Sequence, residues 1–227
     1  MIRFPCLALL GLLAAGCGDG GSAEGPVNGS TAVERAEVAP SPAPSPPAPV
    51  PDKTRVRLET EAGPIVVEVD GKRAPVTAAN FLRYVDEGRL DGTSFYRAAP
   101  TKGAAKSEAR GFIQGGIRRN YRKMLPPIPH EPTSETGLSH VAGAISMARS
   151  ETGAGAMGEF FIAASAMPSM DAKAGEPGYA VFGKVVEGMD TVRSILAAPT
   201  TPNAGRGAMR GQMIAKPVAI VKARRAE

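Results

Sequence analysis

The stretch TSFYRAAP, residues 93–100, sets Arg97 directly behind two aromatic residues, and no nucleophile stands beside it. Further on, GFIQGG (111–116) contributes Gln114 and Phe112, and GEFFIAAS (158–165) contributes Glu159, Phe160 and Phe161. An arginine is an always-charged, forked donor. A glutamine offers a donor and an acceptor on one side chain, and aromatic rings wall off water from an apolar group. Together such residues could bind and polarise a substrate without a covalent intermediate.

Other chemistries are poorly supplied. Ser146, His140 and Asp171 could compose a hydrolytic triad on paper. However, Ser146 lies inside GAISMAR, which reads as an interior strand and lacks the Gly-x-Ser-x-Gly setting of a nucleophile elbow. These three residues therefore read as structural. GAGAMG (153–158) matches a dinucleotide-binding glycine pattern by its letters, but that fingerprint needs a strand before it and a helix after it. Here the strand-like EFFIAAS comes next, so a loop is expected. Two histidines and two cysteines, one of them in the leader, leave zinc without a ligand set. No metal and no cofactor are expected.

The elements that must carry these residues occupy 54–227. RVRLETEAGPIVVEVD (55–70) reads as a hairpin, with Val56 and Leu58 alternating in, a turn at Ala62-Gly63-Pro64, and Ile65, Val67 and Val69 alternating back. PVTAANFLRYVDEG (75–88) predicts a helix starting at Thr77, with Phe81, Leu82 and Val85 on one face and Gly88 as its stop. Strand-like runs come after it at TSFYRAA, GFIQGG, GAISMAR, EFFIAAS and GYAVFGKVV, then a short helix over 189–196 and a last strand over 216–223. Many short strands with two brief helices predict a closed barrel capped at its ends.

The start of the chain is of another kind. Arg3 precedes a short apolar run from Leu7 to Ala15, too short for a permanent membrane span and laid out like an export signal. The segment ends LAAGC, which resembles a bacterial lipobox, although Ala14 stands where leucine is more usual. That resemblance implies cleavage after residue 16 and a lipid on Cys17. The alternative is an ordinary secretory signal cut after Ala15 or Gly16. Cys6 would leave with the signal, and an exported chain with one cysteine cannot form an internal disulfide, so a lipid accounts for the odd thiol. Residues 17–53 then read as an unstructured linker, with seven prolines among residues 39–51. This stretch is either a stalk or a ligand for a proline-recognising partner. The expected site of action is the bacterial cell envelope, lipid-anchored and facing the periplasm. The net charge of +5 comes from 27 Lys and Arg scattered among 22 Asp and Glu. It suits a mildly basic solvated surface, so nucleic acid is not expected as a partner.

FYR, FIQGG, GAISMAR, EFFI and YAVFGKVVEGMD, together with APVTAANFLRYVDEGRLDGTSFYR, resemble in order the signatures of the cyclophilin family of peptidyl-prolyl isomerases. The resemblance runs through nearly all of 54–222. It implies an eight-stranded antiparallel barrel with two capping helices, whose outer groove binds Xaa-Pro segments. Those segments are expected to belong to exported proteins, and the chain is expected to act as a monomer. The resemblance further implies roles residue by residue. Arg97 matches the catalytic arginine, and Gln114 the glutamine that positions substrate and arginine. Phe161 matches the floor of the proline pocket, and Phe112 and Met170 its walls. Ala148 and Arg149 match backbone-contacting positions, and Tyr179 stands where many members carry histidine.

The physics suits such a role. Rotation about a peptide bond faces a barrier of about 18–20 kcal/mol. In the twisted transition state the proline nitrogen regains its lone pair, which a guanidinium can bind without losing a proton. Three departures stand out. The segment 98–113 is long. Glu159 replaces a common glutamine, which would favour basic peptides or pair with Arg149. Ser169 stands about where drug-sensitive members carry tryptophan, which implies weak cyclosporin binding. A module that grips proline segments without turnover stays open at this point.

Overall fold

The computed structural model describes residues 50–105, 108–118, 120–149 and 157–226. The signal-like segment, Cys17 and the proline-rich stretch up to residue 49 lie outside them. The strands are β1 (Lys53–Thr60), β2 (Gly63–Asp70), β3 (Thr93–Pro100), β4 (Gly111–Gly116), β5 (Ala144–Met147), β6 (Glu159–Ala163), β7 (Val181–Glu187), β8 (Thr200–Thr201) and β9 (Met213–Ala226). The helices are α1 (Pro75–Asp86), α2 (Thr133–Thr136) and α3 (Met189–Leu196). Antiparallel pairing runs β1-β2-β7-β5-β6-β4-β3-β9, and β9 returns to β1. The eight expected strands thus close into a barrel, each hydrogen-bonded to a neighbour on both sides. β8 is a two-residue addition paired to the start of β9.

The alternation in the first hairpin is realised as read: Val56 and Leu58 on β1 and Ile65, Val67 and Val69 on β2 are fully buried. The turn differs. Thr60 pairs with Gly63, so the turn is Glu61-Ala62, and Gly63 and Pro64 already belong to β2. The Thr60 hydroxyl tightens it, donating to the Gly63 carbonyl at 2.6 Å and accepting from the Ala62 N–H at 3.1 Å.

Inside the barrel, aromatic rings meet edge to face. Phe160 lies 5.5 Å from Phe81 and 5.8 Å from Phe95, at 83° and 84°. Such pairs add about 0.5–1.5 kcal/mol beyond the area they bury. α1 supplies Phe81, Leu82 and Val85 to this core, and α3 supplies Val192, Ile195 and Leu196. α3 spans the expected residues. α1 starts two residues before Thr77, because Pro75 fits the first turn and the Glu131 carboxylate accepts from the N–H groups of Val76 and Thr77, at 3.1 and 2.7 Å. That cap comes from more than fifty residues away, so no local signal announces it. α2 is a single turn not anticipated from the sequence, closed by Gly137 in the left-handed region.

β9 is longer than the expected 216–223. Its pairing with β3 jumps from Phe95↔Val218 to Arg97↔Met213. Pro217 lies within the jump and has no N–H to give a ladder.

Candidate active site

Arg97 and Gln114 are register partners on β3 and β4, and Gln114 and Phe161 are register partners on β4 and β6. Three neighbouring strands therefore bring FYR, FIQGG and EFFI side by side. A bulge at Tyr96 completes the arrangement. Phe95 and Ala98 are both in the core, and the extra residue lets consecutive Tyr96 and Arg97 reach the same side chain, Gln114. Gly116 is needed beside them: its φ is +121°, and a Cβ there would come 2.2 Å from the Gly158 carbonyl oxygen.

The Arg97 guanidinium is held at two points. Its Nη1 donates to Gln114 Oε1 and its Nε to Gln212 Oε1, both at 2.8 Å. Its remaining N–H groups make no hydrogen bond among the described residues. Burial pushes its pKa down from the usual value, yet a guanidinium remains charged at neutral pH. Its carbon lies 4.9 Å from the centre of the Phe112 ring, which in turn lies 5.2 Å from Phe161. Tyr179 meets Phe161 edge-on at 5.4 Å, and Arg149 covers Tyr179 at 5.5 Å. Met170 sits at the end of a 3-10 turn, its carbonyl accepting from the Tyr179 N–H at 3.1 Å. The Ala148 N–H donates to the Glu159 carbonyl at 2.9 Å, fastening the end of β5 to β6. The residues named from the sequence thus gather around one aromatic cluster, in which Phe161 is buried and Phe112 and Tyr179 are partly exposed, with a fixed cation at its edge.

One expectation for Glu159, pairing with Arg149, is corrected. Its carboxylate accepts from the Tyr96 hydroxyl at 2.8 Å and from Gln114 Nε2 at 3.3 Å, whereas Arg149 lies over Tyr179. Gln114 Nε2 and the Tyr96 hydroxyl leave Glu159 turned toward β3 and β4 rather than toward Arg149. Gln212 has no local motif to mark it in the sequence. It lies 115 residues from Arg97 and is placed by the β3–β9 pairing.

Ser146, His140 and Asp171 do come together. Asp171 Oδ1 lies 2.6 Å from His140 Nδ1, and His140 Nε2 lies 3.1 Å from Ser146 Oγ. Yet Ser146 is fully buried on β5 and His140 is 1% exposed, so no substrate reaches the hydroxyl. Burial pushes the His140 pKa down against the opposing pull of Asp171. The ring stacks on Phe161 at 5.7 Å and 5°, supporting the aromatic floor from behind. GAGAMG lies mostly outside the described residues, but a strand, β6, comes after it as expected. A cavity of about 340 Å³ elsewhere is lined by Lys53, Glu68, Asp70 and Arg73 among others. Lys53 and Arg73 are both paired to Asp70, and Lys53 also approaches Glu68.

Comparisons with known proteins bear on the family and the fold. The family model described as cyclophilin type peptidyl-prolyl cis-trans isomerase/CLD matches residues 55–224. A peptidyl-prolyl cis-trans isomerase of Acinetobacter baylyi is 33% identical over 145 residues, covering 63% of this chain and 72% of its own length. Peptidyl-prolyl cis-trans isomerase A of Dickeya dadantii is 37% identical over 147 residues, covering 63% and 71%. Among solved structures, a Cryptosporidium parvum cyclophilin type isomerase superposes with a TM-score of 0.57 at 19% identity, over 77% of this chain and 98% of its own. With the match running from β1 into β9, this chain belongs to the cyclophilin-type peptidyl-prolyl cis-trans isomerases.

Proposed function

We propose that this isomerase turns Xaa-Pro bonds of exported proteins at the Arg97 surface, with Arg97 as the catalytic donor. The observation that supports it is the guanidinium pinned by Gln114 and Gln212 beside Phe112, with N–H groups left over for a substrate. The proline ring lies against Phe161, between Phe112, Met170 and Tyr179, and the flanking backbone runs past Ala148 and Arg149. The second Cryptosporidium parvum structure, determined in the presence of the dipeptide Ala-Pro, is of a protein with the same fold at 20% identity.

As the C–N bond twists, resonance is lost and the proline nitrogen turns from a poor acceptor into a good one. Arg97 then gains a charge-assisted hydrogen bond that the planar ground state cannot offer. Each ~1.36 kcal/mol of such selective binding gives a factor of ten in rate. The aromatic walls exclude water that would otherwise compete for the same lone pair. No bond is broken, so the reaction consumes no nucleophile and needs no cofactor. The chain works as a monomer, held at the cell envelope by a lipid on Cys17.

Prolyl exchange in a short Ala-Pro-Phe peptide, followed by NMR line shape with the purified protein, tests this reading. Wild type accelerates exchange, and Arg97→Ala lowers kcat/KM at least about tenfold, the cost of losing one such bond. A folded wild-type protein that leaves exchange at the uncatalysed rate would reduce the site to a proline-binding surface.

A further inference from the structure

A glutamine amide has two ends of opposite character and nearly equal shape. Gln114 holds Arg97 only with its oxygen toward the guanidinium; reversed, an NH2 group would face a cation. Something must therefore choose the orientation. Gln114 Nε2 donates to the Tyr96 hydroxyl oxygen at 2.8 Å and to Glu159 Oε2 at 3.3 Å. The Tyr96 hydroxyl in turn donates to the same Glu159 oxygen at 2.8 Å.

Both partners are restricted. An ionised carboxylate is acceptor-only. A phenol that spends its single hydrogen on that carboxylate can then only accept. Burial first, and then the Glu159 charge, push the Tyr96 pKa far above its usual value, so that hydrogen stays in place. Tyr96 and Gln114 are 5% and 6% exposed, so water competes little for these bonds. On the outer side the Arg118 guanidinium lies 5.2 Å from the centre of the Tyr96 ring. Arg118 holds this position with φ at +42°, an uncommon backbone for a residue with a side chain.

We propose that Glu159 and Tyr96 are positioning residues that act through Gln114 on Arg97: together they force the Gln114 oxygen outward and so fix the guanidinium at the substrate. This rests on Arg97 being the catalytic donor. It moves Glu159 from a substrate-contacting role to the foot of a relay, Glu159–Tyr96–Gln114–Arg97, in which a carboxylate, having no hydrogen to donate, selects the amide orientation.

The test uses the full chain and three variants: Tyr96→Phe, which removes one oxygen, Glu159→Leu, and Glu159→Gln. Two readouts are taken: the side-chain NMR signals of the Gln114 amide and the Arg97 Nε–H, and kcat and KM separately for prolyl exchange. Tyr96→Phe and Glu159→Leu should shift both sets of signals and lower kcat by roughly tenfold, with KM changed less than about twofold. Glu159→Gln, which restores an acceptor oxygen without the charge, should fall between these variants and wild type. Three results would overturn the proposal: unmoved Gln114 signals, kcat unchanged in Tyr96→Phe, or a loss confined to KM, which would mean that Glu159 touches substrate. Should Glu159→Leu fail to fold, Tyr96→Phe decides alone. A wild-type protein without isomerase activity would sink the catalytic reading, while the Gln114 and Arg97 signals would still report whether the relay exists.

Discussion

In the proposed mechanism Arg97 carries the chemistry, and what distinguishes it from a surface arginine is that two amide oxygens hold it from different parts of the chain. A free guanidinium on a long side chain would spend roughly 2 kcal/mol of rotamer entropy on each productive pose; two fixed acceptors meet most of that cost during folding. Gln212→Ala therefore leaves the charge in place but frees Nε. The expected outcome is a kcat about three- to tenfold lower, with thermal stability within a few degrees of wild type, read by peptide exchange and a melting curve. Equal kcat values would show that Gln114 alone suffices. Arg97 and Gln114 were legible in the sequence, because FYR and FIQGG are short motifs whose residue types state their chemistry. Tyr96 and Gln212 were not, since their importance comes from what lies across the strand. Ser146, His140 and Asp171 make the complementary point: the sequence offered the residues of a hydrolase, but Ser146 and His140 are buried and the His140 ring stacks on Phe161.

At the scale of elements, the first hairpin and α1 are joined through one carboxylate. Lys53 and Asp70 face each other across β1 and β2, and Arg73 approaches the same carboxylate from the entry to α1. Burial alone would raise the Asp70 pKa, but the hydrogen bonds from Lys53 and from the Arg73 side chain and backbone outweigh it and hold it at about 2. A carboxylate with a depressed folded-state pKa stabilises the fold above its unfolded value, and that stability is lost as pH falls through the folded value. The drop from 3.8 to about 2 corresponds to about 2 kcal/mol. Lys53 and Arg73 are half exposed, and screening by solvent reduces the figure to about 1–2 kcal/mol. Asp70→Asn should unfold at lower urea concentration than wild type by that amount at pH 7. The gap should narrow as pH falls from 4 toward 2. Identical urea midpoints at pH 7 would show that the pair contributes nothing.

For the whole molecule, the proposed arrangement is a barrel tethered to a membrane through a proline-rich linker and a lipid on Cys17. Expressed in a bacterial host with radiolabelled palmitate, wild type should carry label and enter the detergent phase on Triton X-114 partitioning. Cys17→Ser should lose the label and partition into the aqueous phase. Label retained in Cys17→Ser, or absent from both proteins, would remove the anchor from the description. Isomerase activity of the two proteins should be the same, because Cys17 is not among the residues of the proposed site.

By itself the sequence determined the closed antiparallel barrel and the two main helices, and it named the residues proposed to line the groove. Alternating burial and short motifs are properties of near neighbours, and near neighbours are what a sequence displays. Only the tertiary structure decided where α1 begins, how β9 breaks at Pro217, which residue anchors Arg97 from behind and which way Glu159 turns. Each of these depends on groups tens of residues apart, or more, meeting when the barrel closes. Closure sets a register in which one bulge at Tyr96 turns two consecutive side chains toward the same glutamine.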